Sequence, residues 1–524
     1  MLITKTDLVD ETTLEVVRQE IIDEVKGTFL ENKPIIPISS ATGEGFDVLR
    51  AEILRLCDKL EERAAFGVFR YPIQRVFTQT GFGTVFTGVP FSGRARIGDV
   101  IEVVPGNERG KIRKLQAYHE DVEEVFAGHC AALNVSDLKR NDMERGMVVS
   151  SPGFTRSASN IEVELTYLPL DKDRPLKDYS EVTFHCGAAE VPAHVALLAG
   201  RKQVAPRETV FAQIRLAHPI AAWTGLRFVI RRMSPAETIG GGTILSMTDK
   251  RLRRGSEAVL AHFERRAAAI GDPAKLLRLV IEEGEGEPVG ISDLCIETGL
   301  FPDEVREILK GREFDGLIEA GKDWFLFESS LAPWRERLKK EMDSLHEKLP
   351  FATWHEKAAI RSAGPKNDRA FELALQGMVD NGIFDLHQGR YRRHGYKPPL
   401  GSEDLKLAER LLAWMAETPF DSHSQNIVVS EWNLPPDTVR RVYRVLCESG
   451  EVVALPDGVF ISRAAYAEAE AKLRKHFESN STLASGHFKS IIGAARKVAI
   501  ALLDHFEKTG VTYRKGNEHQ LRRY

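Results

Sequence analysis

Along the first sixty residues, apolar positions recur in two helical registers separated by a short apolar run. Leu14, Val17, Ile21 and Val25 fall three and four apart, as do Phe46, Leu49, Ile53, Leu56 and Leu60, and each set marks one face of an amphipathic helix. Between them Ile35-Ile36-Pro37-Ile38 reads as a short buried strand. Strand end, helix, strand, polar loop, helix is the alternation of a parallel α/β sheet, whose ligand-facing loops gather at the carboxyl ends of the strands. The polar stretches after Ile3 and after Ile38 therefore share one edge of a region spanning 1–62.

From Gly67 the period changes to two. Ile73-Gln74-Arg75-Val76-Phe77, Gly81-Phe82-Gly83-Thr84-Val85-Phe86-Thr87-Gly88 and Ile97-Gly98-Asp99-Val100-Ile101 read as strands punctuated by glycine turns, with further turn signals at Ala127-Gly128 and Glu144-Arg145-Gly146. A second β-rich block follows, with strands at Val182–His185, Val210–Leu216 and Phe228–Arg231, and ends in Ile239-Gly240-Gly241-Gly242-Thr243-Ile244-Leu245. We expect two β-barrel domains, 66–155 and 156–248.

Beyond Asp249 the pattern is helical, and one unit recurs. An amphipathic helix stops at a glycine and a hairpin follows: Gly316 before Trp324–Phe327, Gly382 before Arg390-Tyr391, Gly450 before Val459–Ile461, and Gly510 before Leu521-Arg522. Four copies at domain-like spacing predict an array of winged helix-turn-helix domains, 250–330, 331–398, 399–463 and 464–524, each glycine taking the left-handed position that ends a helix. The fold class is thus multidomain, with an α/β region, two barrels and four winged helices.

Composition narrows what such a chain does. Its 524 residues are 43% hydrophobic and 28% charged, without a run of transmembrane length or a signal-peptide pattern. The five cysteines lie far apart and the histidines form no ligand motif, so neither a disulfide framework nor a metal is expected, and a reduced cytoplasmic setting is. Charge is uneven. Residues 470–524 hold eleven Lys/Arg against five Asp/Glu, a net of +6, in a chain whose formal net charge is -4; residues 401–462 hold five against ten. If nucleic acid is bound, the C-terminal end is the place. In the last unit Val498, Leu502 and Phe506 make one apolar stripe, leaving Arg496 and Lys497 in the first turn of their helix, where cations oppose the helix dipole unless a phosphate sits nearby. With Lys489 before them and Arg514, Lys515, Arg522 and Arg523 on the hairpin, they are the candidate RNA contacts; a solvated basic surface is the alternative. The acidic third unit, with its Asp457-Gly458 turn, and the first two are assigned to spacing and mutual packing.

Two short stretches tie these domains to known proteins. Thr4-Lys5-Thr6-Asp7, followed some thirty residues later by Ser39-Ser40-Ala41-Thr42-Gly43, resembles the last two guanine-nucleotide motifs of translational GTPases, with Thr4 in place of the commoner Asn; an ordinary polar turn is the alternative for the first stretch. The chemistry suits the residues, since a lysine stem can lie on the purine face and a carboxylate can accept from both guanine N1 and N2. The resemblance implies guanine contacts by Thr4, Lys5, Asp7 and Ser39, with backbone N–H groups of Ser40 and Ala41 donating to O6. No G-x-x-x-x-G-K-[ST] occurs in the chain, so no catalytic residue is assigned. The expectation is a partial P-loop-type GTPase domain without its phosphate and switch motifs, and a polypeptide that does not turn over GTP.

The β-rich punctuation resembles the second domain of the same factors, and the Gly240–Gly242 ending resembles the third domain of selenocysteine-specific elongation factors. Four winged helices after such a core complete the resemblance to the bacterial SelB type, over the whole chain in order. It implies delivery of selenocysteyl-tRNA to the ribosome at UGA codons, with GTP/GDP and Mg²⁺ as cofactors of the intact family member, a terminal winged helix gripping an mRNA hairpin, and a monomer without membrane contact. Arg75 is the implied aminoacyl-pocket residue, with a rim arginine paired to an acid as the alternative. Gln74 stands where the family often has Asp, and Cys130 where an Arg often follows A-G-x, which weakens the case for tight selenocysteine discrimination. A non-catalytic truncated RNA-binding protein, or a winged-helix regulator, is the second hypothesis.

Overall fold

A computed structural model of the chain describes residues 1–59, 66–79, 83–138, 142–168, 175–252, 257–516 and 518–522. Leu60, Gly81, Phe82 and Arg523, named above, lie outside them. The chain forms two compact units, Met1–Leu252 and Arg253–Tyr524.

The α/β region is small. Leu2–Ile3 pairs in parallel with Ile36–Pro37, and the helices Glu11–Glu24 and Phe46–Cys57 flank this two-stranded sheet. Asp10 caps the first helix by accepting the Thr13 amide at 2.8 Å. The predicted apolar faces are present but uncovered: neither helix buries a residue, and Phe46, Ile53 and Leu56 are all more than 40% exposed. Two strands of two residues supply only Ile3, Ile36 and Ile38 as buried apolar partners, too little surface to cover two helices.

Both barrels close. In the first, Ala131–Ser136, Gly83–Gly88, Arg70–Gln79, Val148–Ser150, Val100–Val104 and Glu108–Ala117 run in that order around six strands, and the last pairs back to the first. Tyr71, Ile73, Phe86, Val103, Leu115 and Leu133 fill its interior. The second is a six-stranded ring of Arg156–Tyr167, Thr209–Ala222, Ala189–Leu197, Ser180–Cys186, Arg227–Arg232 and Glu237–Thr248. Its glycine run is a packing requirement, because a Cβ on Gly242 would stand 1.8 Å from the Glu164 carbonyl oxygen. The two barrels pack together: Gly146 leaves no room for a side chain against Ala189, and Phe91 meets Trp223 edge to face at 5.1 Å.

In the C-terminal unit, all four predicted glycines have positive φ and all four hairpins form. A 3-10 turn, Arg312–Phe314, intervenes before Gly316, so in the first unit the glycine does not follow its helix directly. The first, second and fourth hairpins gain a third short strand, Val289–Gly290, His355–Glu356 and Leu483–Ala484, which two residues of sequence do not announce. The predicted units also share cores in pairs. Leu326 of the first hairpin belongs to the core of the second domain, and Leu455, Val459 and Ile461 of the third hairpin belong to the core of the fourth.

Candidate functional site

The two polar loops after the parallel strands meet. Ile38 donates its amide to the Ile3 carbonyl and Thr6 donates to Ile38, so strand pairing carries the loops alongside one another. Buried Ser39 then donates its hydroxyl to Asp7 Oδ1 at 2.6 Å, while its oxygen accepts the Ala41 and Thr42 amides, each at 3.2 Å. Asp7 is thereby held by one oxygen, with the carboxylate exposed. Lys5 sits at φ 60°, a left-handed turn that leaves its side chain exposed beside exposed Thr4. Gly45 closes the second loop at φ +80°, where a Cβ would meet the Pro37 carbonyl oxygen at 2.1 Å. One expectation shifts. The Ala41 amide is engaged by Ser39 Oγ, whereas no hydrogen bond of the Ser40 amide is found among the described residues, so of the two backbone donors Ser40 is the available one.

On the first barrel Arg75 is exposed and stands opposite Thr87, which in turn stands opposite Ala132. A bulge at Gln74 displaces the register beside it. Exposed Cys130 immediately precedes Ala131, which pairs with Gly88, so Gln74, Arg75 and Cys130 gather at one end of the same three strands. Among the described residues no ion pair to Arg75 is found.

The last unit differs from the second in what the cations of its hairpin do. Net charges over the four predicted units alternate, -5, +4, -4 and +5, so the second is basic as well. There, however, Arg390 pairs with Glu356, Arg392 with Asp385 and Arg393 with Asp343, each at 2.8 Å. The start of its helix Asp368–Asp380 is also taken: Glu287 of the first domain accepts the Lys366 and Asn367 amides at 2.6 and 3.0 Å, where an anion would otherwise sit. In the fourth unit Lys489, Arg496, Lys497, Arg514, Lys515 and Arg522 are all exposed, and none forms an ion pair among the described residues. The helix Arg496–Lys508 has no side-chain cap, and the amides of Arg496, Lys497 and Val498 find no acceptor there.

That helix is buried on two faces. Besides the expected stripe of Val498, Leu502 and Phe506, Ala499 and Leu503 are each 1% exposed, and the helix packs against the third hairpin and its Pro456–Gly458 turn. It cannot lie lengthwise in a nucleic-acid groove. What it offers is its first turn, with the Thr512–Lys515 strand of the hairpin carrying Arg514 and Lys515.

Two facing polar loops on an α/β region, two closed barrels and a basic winged helix together make the architecture of a translation elongation factor. Residues 83–150 match the family model of elongation factor Tu domain 2, 163–251 that of the selenocysteine-specific elongation factor β-barrel domain, and 475–521 that of the elongation factor SelB winged helix. The selenocysteine-specific elongation factor of Desulfomicrobium baculatum is 28% identical over 99% of this chain and 82% of its own length; that of Escherichia coli is 24% identical over 99% and 81%. A crystal structure of the bacterial selenocysteine-specific elongation factor EF-Sec shares the fold over 100% of this chain and 81% of that one, with a TM-score of 0.59 at 18% identity. Over its whole length the chain is similar to the selenocysteine-specific elongation factors of the SelB family.

Proposed function

We propose that this chain acts in delivery of selenocysteyl-tRNA to the ribosome at UGA codons, with its fourth winged helix holding an mRNA hairpin. The observation that carries the reading is the set of cations without ion pairs in the last unit, within a chain that aligns with its relatives over 99% of its own length. A-form RNA hides its bases in a deep, narrow groove, so hairpins are read at backbone, loops and bulges. A helix start with free amides and a basic hairpin beside it suits such a target, and the buried flanks of the helix exclude lengthwise groove insertion. The test is titration of the full chain with a labelled RNA stem-loop taken from beside an in-frame UGA codon of the same genome. Binding should weaken steeply with salt, by a slope of about 0.7 to 0.9 per phosphate contact. Salt-independent binding, or none, would sink the reading.

The α/β edge fits guanine. Asp7 keeps one carboxylate oxygen outside its bond to Ser39, the Ser40 amide is available for O6, and the Lys5 stem and Thr4 border the same space. With no G-x-x-x-x-G-K-[ST] in the chain, its own residues fit the guanine base and not the phosphates or Mg²⁺: they would read the base and orient it. Asp7→Ala removes about two charge-assisted hydrogen bonds, each worth roughly 1.5–3 kcal/mol. Guanine discrimination should fall by at least a hundredfold, read by competing guanosine against adenosine nucleotides; unchanged competition would remove Asp7 from the base site.

For the aminoacyl end, Arg75 is the residue that meets an ionised selenol. Arg75→Gln should narrow the affinity difference between selenocysteyl-tRNA and seryl-tRNA by roughly tenfold, the scale of one charge-assisted contact. An unaltered difference in a titration of both would place discrimination elsewhere.

A further inference from the structure

The fourth winged helix contains a buried polar cluster that the RNA reading above does not use. His519, 2% exposed, lies on the central strand of the hairpin sheet, paired with Leu483 on one side and Arg514 on the other. Its Nε2 is 3.0 Å from the hydroxyl of Ser485, the first residue of the helix Ser485–Ile492. Its Nδ1 is 2.9 Å from Glu507 Oε1 on the helix Arg496–Lys508, off the line of a proper hydrogen bond, so that contact is electrostatic. One side chain thus touches both helices of the helix-turn-helix from within the hairpin.

The residues it joins are neighbours of the RNA-contact candidates. Ser485 and Lys489 are four apart on one helix and share a face. Arg514 stands directly across the strand pair from His519, and Arg496 and Lys497 begin the helix that ends near Glu507. Burial, reinforced by Arg514, holds His519 below the ordinary imidazole range against the opposing pull of Glu507 and Asp504. A neutral ring has one N–H and one lone pair, so with its N–H toward Glu507 it offers Nε2 to the Ser485 hydroxyl.

We propose that His519 is a positioning residue for RNA recognition: by tying the hairpin to Ser485 and Glu507 it sets Arg514 at the spacing from Lys489 and Arg496 that a run of RNA phosphates requires. The proposal rests on the reading of this unit as the RNA grip. Backbone pairing of Leu483–Ala484 with the hairpin sets the start of the first helix, and the His519 side chain adds a polar contact to each of the two helices, which holds both to one arrangement.

The full chain is titrated with the labelled stem-loop at several salt concentrations, as the unmodified protein and as Ser485→Ala, His519→Gln, His519→Ala, Arg514→Gln and the Ser485→Ala/Arg514→Gln pair. Ser485→Ala and His519→Ala should weaken binding about tenfold and flatten the salt slope by about one contact, 0.7 to 0.9 units. His519→Gln, which keeps a polar group within reach of Ser485, should recover part of both. In the pair, Ser485→Ala should add nothing to Arg514→Gln, the coupling expected of residues acting on one contact. Merely structural damage lowers the active fraction and leaves the slope intact; that result for Ser485→Ala, or additive losses in the pair, would overturn the proposal even if His519→Ala fails to fold. No binding by the unmodified chain would instead remove the RNA reading itself, and the inference with it.

Discussion

Neutralising Arg496 and Lys497 together, as Arg496→Gln/Lys497→Gln, should weaken binding of the RNA stem-loop by about a hundredfold and reduce the salt slope by nearly two contacts. Both side chains are exposed and stand in the first turn of a helix whose leading amides have no acceptor, so the unliganded protein holds like charges against the positive end of the helix dipole. A phosphate turns that cost into a gain, and removing the cations forfeits it. The same change should raise the stability of the free domain slightly, by a few tenths of a kcal/mol, because the opposing charges are gone. Weaker binding with a more stable domain is a pairing that misfolding cannot imitate. Hydrogen exchange of the helix Arg496–Lys508 and a salt titration of the same preparation check both halves. As a comparison, Arg390→Gln and Arg392→Gln in the second domain should leave RNA binding unchanged, since Glu356 and Asp385 already engage those guanidinium groups.

The largest stability effect is expected at Arg266→Ala in the helix Glu257–Ala269. Arg266 is 6% exposed and bridges three helices, reaching Glu297 at 2.7 Å and Glu283 at 2.5 Å, with His262 also on Glu283 at 2.9 Å. Deleting the guanidinium takes the ion-pair partner from buried Glu297 and leaves Glu283 with His262 alone, a change of the kind that typically costs about 3–5 kcal/mol. Because a chain of several domains does not unfold in one step, the readout is hydrogen exchange of the helices Glu257–Ala269 and Pro273–Glu282, which should lose protection while the barrels keep theirs. The pH dependence has a definite sign. Burial raises the Glu283 carboxyl, but hydrogen bonds from His262 and Arg266 outweigh it and hold the group below the ordinary glutamate value of 4.5. A depressed carboxyl contributes stability that is complete above 4.5 and is lost as pH falls through the lower folded value. In the variant the stranded carboxyls gain from protonation, so the gap between variant and parent should narrow on acidification below about 4.5. A gap that widens instead would mean that Arg266 is not the group that keeps Glu283 ionised.

Local pattern carried much of the architecture. Alternating periods placed the strands of both barrels near their observed positions, and four glycines located four hairpins because a helix that turns into a strand needs a left-handed residue there. The short third strands were not legible, since two residues carry no period. Nor was the Arg266 cluster, whose members come from three helices and look like ordinary surface charges one helix at a time.

The proposed guanine edge and the proposed RNA grip divide along the same line. The sequence by itself determined which residues can do the chemistry: Lys5 and Asp7 with a serine-rich partner loop, and a surplus of cations after residue 470. Only the tertiary structure decided how they are used. Strand pairing brings Ser39 onto Asp7 across thirty-two positions, engages the Ala41 amide and leaves that of Ser40. The third hairpin covers Ala499 and Leu503, so the last helix presents its start and not its length. A sequence period reports the one face that a helix turns to its own domain. Whether a second face is covered depends on Leu455 and Val459, some forty residues away, and on whether acids elsewhere engage each base, which only packing decides.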